Sequence, residues 1–81
     1  MEMIKVKDWV DLEQLKYYGY KKSYNPLAGQ VYIKDFHNEI KIVISIETRE
    51  IYCFVTNFEI KPKLITFVQD LQRDNLIEER W

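Results

Sequence analysis

The chain has one histidine, His37, and one cysteine, Cys53, so any site built on an imidazole or a thiolate must be built around these two. A general base or a metal centre draws on histidine first. His37 stands in Asp35-Phe36-His37-Asn38, a segment that reads as a hairpin loop. Beside a single carboxylate, Asp35, it lacks the partners that a triad or a metal site requires. The sequence favours an ordinary exposed loop histidine, and His37 as a base with Asp35 is the minimal enzymatic version. Cys53 alternates with Ile51 and Val55, which places it on an apolar strand face. A reactive thiolate needs an electropositive, partly exposed setting, and a buried thiol behaves as a small hydrophobe. One cysteine makes no internal disulfide, and no Cys/His cluster is present to hold zinc.

Carboxylate pairs come next. Asp8 and Asp11 are three residues apart, a spacing compatible with acid–base work or Mg²⁺, but at a helix start they read more simply as caps. Glu78 and Glu79 fall in an end expected to fray. Asn25-Pro26-Leu27-Ala28-Gly29 lacks the glycine pattern and lysine of a phosphate-binding loop and reads as a connection. Neither a cofactor nor a metal is implied. Lysines interleaved with tyrosines make a different proposition. Lys21, Lys22 and Lys34 with Tyr20 and Tyr24 form a candidate single-stranded nucleic-acid surface, binding by charge and stacking. The formal net charge of -1 weighs against it, because phosphate neutralisation dominates such binding.

These residues must be positioned by a small number of elements. A helix is predicted over Asp8–Tyr18, capped by Asp8, with Trp9, Leu12 and Leu15 along one side. Gly19 suits the left-handed residue that ends it, with Tyr20 folding back on Leu15. A second helix is predicted over Pro62–Asp74, with Pro62 at its first position and Leu64, Phe67, Val68 and Leu71 at i, i+3, i+4, i+7. Asn75 is its left-handed stop, Leu76 returns to Leu71, and Leu76-Ile77 opens a short edge strand. Between the helices the apolar period changes to two over 30–34, 39–47 and 50–58, with a weaker extended piece at 20–24. The connections are too short for crossovers, so the strands form an antiparallel meander.

Register follows from the hairpins. Closing 35–38 on Lys34 and Glu39 sets Ile33 against Ile40 and Val31 against Ile42. A turn centred on Thr48-Arg49 sets Ile46 against Ile51, Ile44 against Cys53 and Ile42 against Val55. All these residues then share one face, which a one-residue slip would scatter. The opposite face carries Tyr32, Lys34, Lys41, Val43, Ser45, Tyr52, Phe54 and Thr56. Sheets with one wet face fill it with polar residues. Here Tyr32, Val43, Tyr52 and Phe54 form an aromatic patch of the kind that serves as an interaction surface.

The expected fold is therefore α+β, in the order α-β-β-β-β-α, one domain with both helices on one face of a four-stranded meander. With 47% hydrophobic residues, 81 residues suffice for one core. The opening MEMIKVKDW lacks an apolar signal core and no run reaches membrane-span length, so the cytoplasm is the expected location. The pattern Trp9-x-x-Leu12-x-x-Leu15-x-x-x-Gly19-Tyr20, the meander and Leu71-x-x-x-Asn75-Leu76-Ile77-Glu78 together resemble small proteins encoded by phages and prophages of AT-rich Gram-positive bacteria. The resemblance implies an accessory role in which a small protein binds a partner, and it brings no catalytic motif. The functional expectation is a non-catalytic interaction module that uses the aromatic face to pair with itself or to dock on another protein.

Overall fold

Segments rich in Val, Ile and aromatic residues that alternate with polar ones pair into sheets, because one pleated face can then leave water. The computed structural model describes residues 3–27, 29–37, 39–55 and 63–80. In it, β1 (Met3–Val6) leads to a 3-10 helix (Leu12–Tyr18) and then to β2 (Lys21–Asn25), β3 (Gly29–His37), β4 (Ile40–Ser45) and β5 (Ile51–Val55). Two helical turns, α1 (Leu64–Phe67) and α2 (Gln69–Arg73), precede β6 (Ile77–Arg80). Strands β2-β3-β4-β5 form the expected antiparallel meander. Among the described residues no helix is long and apolar enough to cross a membrane.

Both helix stops fall where the sequence puts them. Gly19 is left-handed (φ 92), with Gly19 N–H on the Lys16 carbonyl and Tyr20 N–H on the Leu15 carbonyl. Asn75 is left-handed (φ 62), with Asn75 N–H on Gln72 and Leu76 N–H on Leu71. Each pair of bonds satisfies carbonyls that the helix end would otherwise orphan.

The helices themselves are shorter than expected. The first starts at Leu12, and its cap is Asp11, whose carboxylate accepts from Glu13 N–H; Asp8 pairs with Lys5 at 3.2 Å instead. Residues 7–10 form a turn of their own, Val10 N–H donating to the Lys7 carbonyl, and so are withheld from the helix. The second helical region breaks at Val68 (φ -119, ψ 24), although Leu64, Phe67, Val68 and Leu71 all reach the core as their spacing requires. Pro62, its expected first residue, lies outside the described residues.

The element order departs from α-β-β-β-β-α at both ends. β1 and β6 pair antiparallel as a second, two-stranded sheet, with Lys5 opposite Glu78 and Val6 opposite Ile77. Glu78 and Glu79 are thus strand residues, not a frayed end, and Ile77 belongs to a ribbon between the two termini of the described chain. Ile4, Val6, Leu76 and Ile77 are buried in one cluster with Leu15, Val68, Leu71, Ile40, Ile42 and Ile44.

Two registers also change. β4 and β5 pair Ile44 with Ile51 and Ile42 with Cys53, because the turn is longer than expected. An even shift keeps Ile40, Ile42, Ile44, Ile51, Cys53 and Val55 on one face. β3 and β4 pair Ile33 with Val43 and Tyr32 with Ile44, an odd shift from the expected Ile33–Ile40. β3 runs on through Asp35, Phe36 and His37 with a bulge between Asp35 and His37, where a loop was expected. Faces on β3 are therefore exchanged: Tyr32 turns inward and Val31 and Ile33 turn outward.

The two sheets are keyed together by Arg49, itself left-handed (φ 65) in the β4–β5 turn. Its carbonyl accepts from Val6 N–H at 2.9 Å, and its Nη1 donates to the carbonyls of Lys7 (2.8 Å) and Val10 (2.7 Å). Charge-assisted bonds to half-buried carbonyls are the stronger kind. Replacing Arg49 with Ala is expected to cost about 2–3 kcal/mol, read as a lower denaturation midpoint at unchanged m-value; a loss under about 0.5 kcal/mol would show that solvent replaces the guanidinium. Gly19→Ala, whose Cβ would lie 3.3 Å from Lys34 Cε, is expected to cost about 1–2 kcal/mol on the same measurement.

Candidate functional site

The outer face of the meander is the surface to build from, and three of its four expected residues are there. Val43 on β4 faces Tyr52 on β5, and Phe54 lies two residues on, opposite Lys41. Tyr52 and Phe54 remain 40% and 53% exposed, while Val43 is buried beneath the patch. The Tyr52 hydroxyl donates to Glu50, which tethers the ring and raises its pKa. Tyr32 is the correction. The odd register places it on the core face, 1% exposed, and its hydroxyl donates to the Glu13 carboxylate at 3.2 Å. Burial first, and Glu13 second, raise its pKa.

Leu27, Val43, Ser45, Glu47, Thr48, Tyr52 and Phe54 line a shallow concavity of about 340 Å³ on this face. Leu27 is 98% exposed. Its loop is fastened by Leu27 N–H donating to Asn25 Oδ1 at 2.8 Å. Ser45 is buried, and its Oγ accepts from Thr48 N–H, shaping the turn that carries Glu47. Leu27 and Glu47 were not singled out from sequence. A large apolar residue inside a Pro/Gly loop was the available signal for Leu27; Glu47 offered none, since its position depends on the length of the turn. The concavity has an apolar floor, two aromatic rings and a carboxylate rim. Among the described residues, its lining includes no thiol and no imidazole, and the Ser45 hydroxyl is engaged by Thr48 N–H.

The lysine–tyrosine set does not converge. Lys21 and Lys22 are adjacent on β2 and so point to opposite faces. Tyr24 is exposed at the far end of that strand. Tyr20 is only 2% exposed and belongs to the core. Lys34 lies on the core face as well, its Nζ 4.9 Å from the Phe36 ring centroid, 5.5 Å from that of Tyr20 and 3.6 Å from Asp70. Phe36 in turn meets Phe67 edge-on at 5.0 Å. Lys34 thus clamps β3 to α2, a packing role in place of the expected surface role.

The remaining chemistry-bearing residues are dispersed. His37 is the last residue of β3, not a loop residue, and its backbone pairs with Ile40. Asp35 is exposed, 4.0 Å from Lys41. Cys53 lies on the core face opposite Ile42, half-buried, and burial raises its pKa, which keeps the thiol protonated at neutral pH. Glu13 and Lys16 pair at 2.6 Å, a bond that lowers the first pKa and raises the second. Among the described residues no group of three or more His, Cys, Asp or Glu is placed to hold a metal ion.

Compared with protein-family models, with curated proteins and with solved structures, the chain matches none.

One buried polar atom has no partner: the Tyr20 hydroxyl, among the described residues. Desolvation by burial raises its pKa far above the ordinary phenol value of 10.0, with the Asp70 charge adding to it. Tyr20→Phe removes an unsatisfied group and is expected to raise stability by about 1 kcal/mol at neutral pH. In the unfolded chain Tyr20 ionises near pH 10, while in the fold it stays neutral, so its contribution is full below pH 10 and falls as pH rises above it. Tyr18, Tyr32 and Tyr52 are shifted in the same direction, so the difference between wild type and Tyr20→Phe isolates this residue. Denaturation midpoints from pH 8 to 12 should diverge further above pH 10; parallel curves would exclude the assignment.

Proposed function

We propose that this chain is a non-catalytic protein-interaction module that docks through the outer sheet face, at Val43, Tyr52 and Phe54. The single observation that carries the reading is the pair of half-exposed rings over a buried Val43 on a face with a concave rim. Rigid aromatic side chains offer large contact area at little entropic cost, which is why they dominate interface centres. In this reading both helical segments stand behind the sheet. The shared cluster of Leu15, Val68 and Leu71 with Ile42 and Ile44 supports that placement. The meander then serves as a stiff plate that holds the aromatic pair from behind. The burial of Tyr20 and the tie of Lys34 to Asp70 leave only Lys21, Lys22 and Tyr24 of the nucleic-acid set exposed, which favours the docking reading.

Phe54→Lys is expected to weaken partner binding by about 2 kcal/mol, roughly thirtyfold, and to change stability by less than about 1 kcal/mol, because the ring is exposed. Quantitative affinity capture from the source cell, together with light scattering of the pure protein, makes the comparison. Tyr17→Lys, at an exposed site on the 3-10 helix, is the control and should bind like wild type. Equal binding by all three proteins would end the assignment to this face.

A further inference from the structure

The outer face carries both halves of a contact with itself. Its rows across β4 and β5 run Lys41 opposite Phe54, then Val43 opposite Tyr52. Ser45 and Glu50 follow, joined by Ser45 N–H donating to the Glu50 carbonyl at 3.0 Å, and Glu47 stands in the turn on the rim of the concavity. On β4 and β5 Lys41 and Phe54 stand at one end, with Asp35 of β3 beside Lys41, the carboxylates of Glu47 and Glu50 stand at the other, and Val43 and Tyr52 lie between. Successive same-face rows are about 7 Å apart. A two-fold axis through the Val43–Tyr52 row therefore lays the Lys41–Phe54 end of one molecule over the Glu47–Glu50 end of the other.

We propose that the occupant of this face is a second copy of the chain, related by that two-fold, with Lys41 of each copy entering the concavity of the other. The proposal rests on the docking reading above and names its partner. An isologous contact must be self-complementary, and the order of charges along the β4–β5 strip of this face, Lys41 at one end and Glu47 and Glu50 at the other, meets that condition. The concavity suits an ammonium group: aromatic faces attract it, and Glu47 supplies the countercharge. Within its own chain Lys41 is exposed and has Asp35 at 4.0 Å, a weak surface pair that a better contact displaces. The alternative route to a dimer, edge-to-edge pairing through exposed β2, meets Lys21 and Lys22, a placement that opposes strand addition.

A charge exchange tests this. Sedimentation equilibrium on the full chain runs to about 1 mM, where even a millimolar dissociation constant leaves a measurable dimer. Wild type should dimerise. Lys41→Glu and Glu47→Lys should each raise the dissociation constant at least about tenfold, because each places like charges together twice. An equimolar mixture of the two variants should recover a heterodimer of near wild-type affinity, since both contacts then pair opposite charges. A misfolded variant could not be rescued this way. Monomeric wild type, a dimer indifferent to both variants, or no recovery on mixing each overturns the proposal. If wild type is monomeric yet binds a foreign protein in a Phe54-dependent manner, only the identity of the partner is wrong. If it is monomeric and no Phe54-dependent partner exists, the docking reading falls too.

Discussion

The guanidinium of Arg49 joins the β4–β5 turn to residues 7–10, two parts of the chain that share no sequence proximity. Through Lys7 and Val10 it holds the connection between β1 and the 3-10 helix, and through its own backbone it is the turn between β4 and β5. Lys7 N–H in turn donates to the Leu76 carbonyl, which carries the link to the end of α2. The two sheets have no strand in common; among the described residues a single bridge, between Lys5 and Glu50, is their one ladder contact. Without Arg49 the Val10 carbonyl would have to find another donor beside a packed core, and the Lys7 carbonyl would keep only its bond from Val10 N–H. A left-handed arginine is conformationally costly, and these three bonds are what offset it.

That junction also shapes the outer face. The turn of residues 46–50 hangs between Arg49, bound to residues 6–10, and Ser45, whose Oγ accepts from Thr48. Its conformation decides where Glu47 stands beside Tyr52. Core and surface are thus coupled through a few residues: the side of the turn that faces inward secures the termini, and the side that faces outward forms one wall of the concavity.

How much of this the sequence discloses depends on how clean each local pattern is. β4 reads Ile40, Ile42, Ile44 against Lys41, Val43, Ser45, and β5 reads Ile51, Cys53, Val55 against Tyr52, Phe54. Their faces survive a turn of the wrong length because the error is even. β3 holds Val31, Tyr32 and Ile33 in succession, so both faces are apolar and periodicity cannot choose between them. The choice is made by Phe36 and the bulge beside it, which extend the strand and bring Phe36 onto Phe67. The caps at Gly19 and Asn75 are legible because they depend on one residue's backbone preference. β6 is legible only as a short edge strand opening at Leu76-Ile77; β1 and the β1–β6 pairing are not, because four residues give no periodic signal and the pairing spans nearly the whole chain. The aromatic patch is legible in its β4–β5 half and misplaced only at Tyr32, the residue contributed by β3.

The pairing of residues 3–6 with residues 77–80 has a temporal side. A ribosome delivers the chain from its N-terminus, so β1 is made before the meander and its partner β6 after it. Ile4 and Val6, both buried in the finished molecule, have no strand to pair with until β6 has left the exit tunnel. The meander can zip from local hairpins as soon as its strands emerge, but the ribbon closes only once β6 is available, at a higher loop-closure cost than any hairpin of the meander. For the length of that delay a nascent molecule displays an apolar strand edge, and this interval is when it is most exposed to chaperones and to its neighbours.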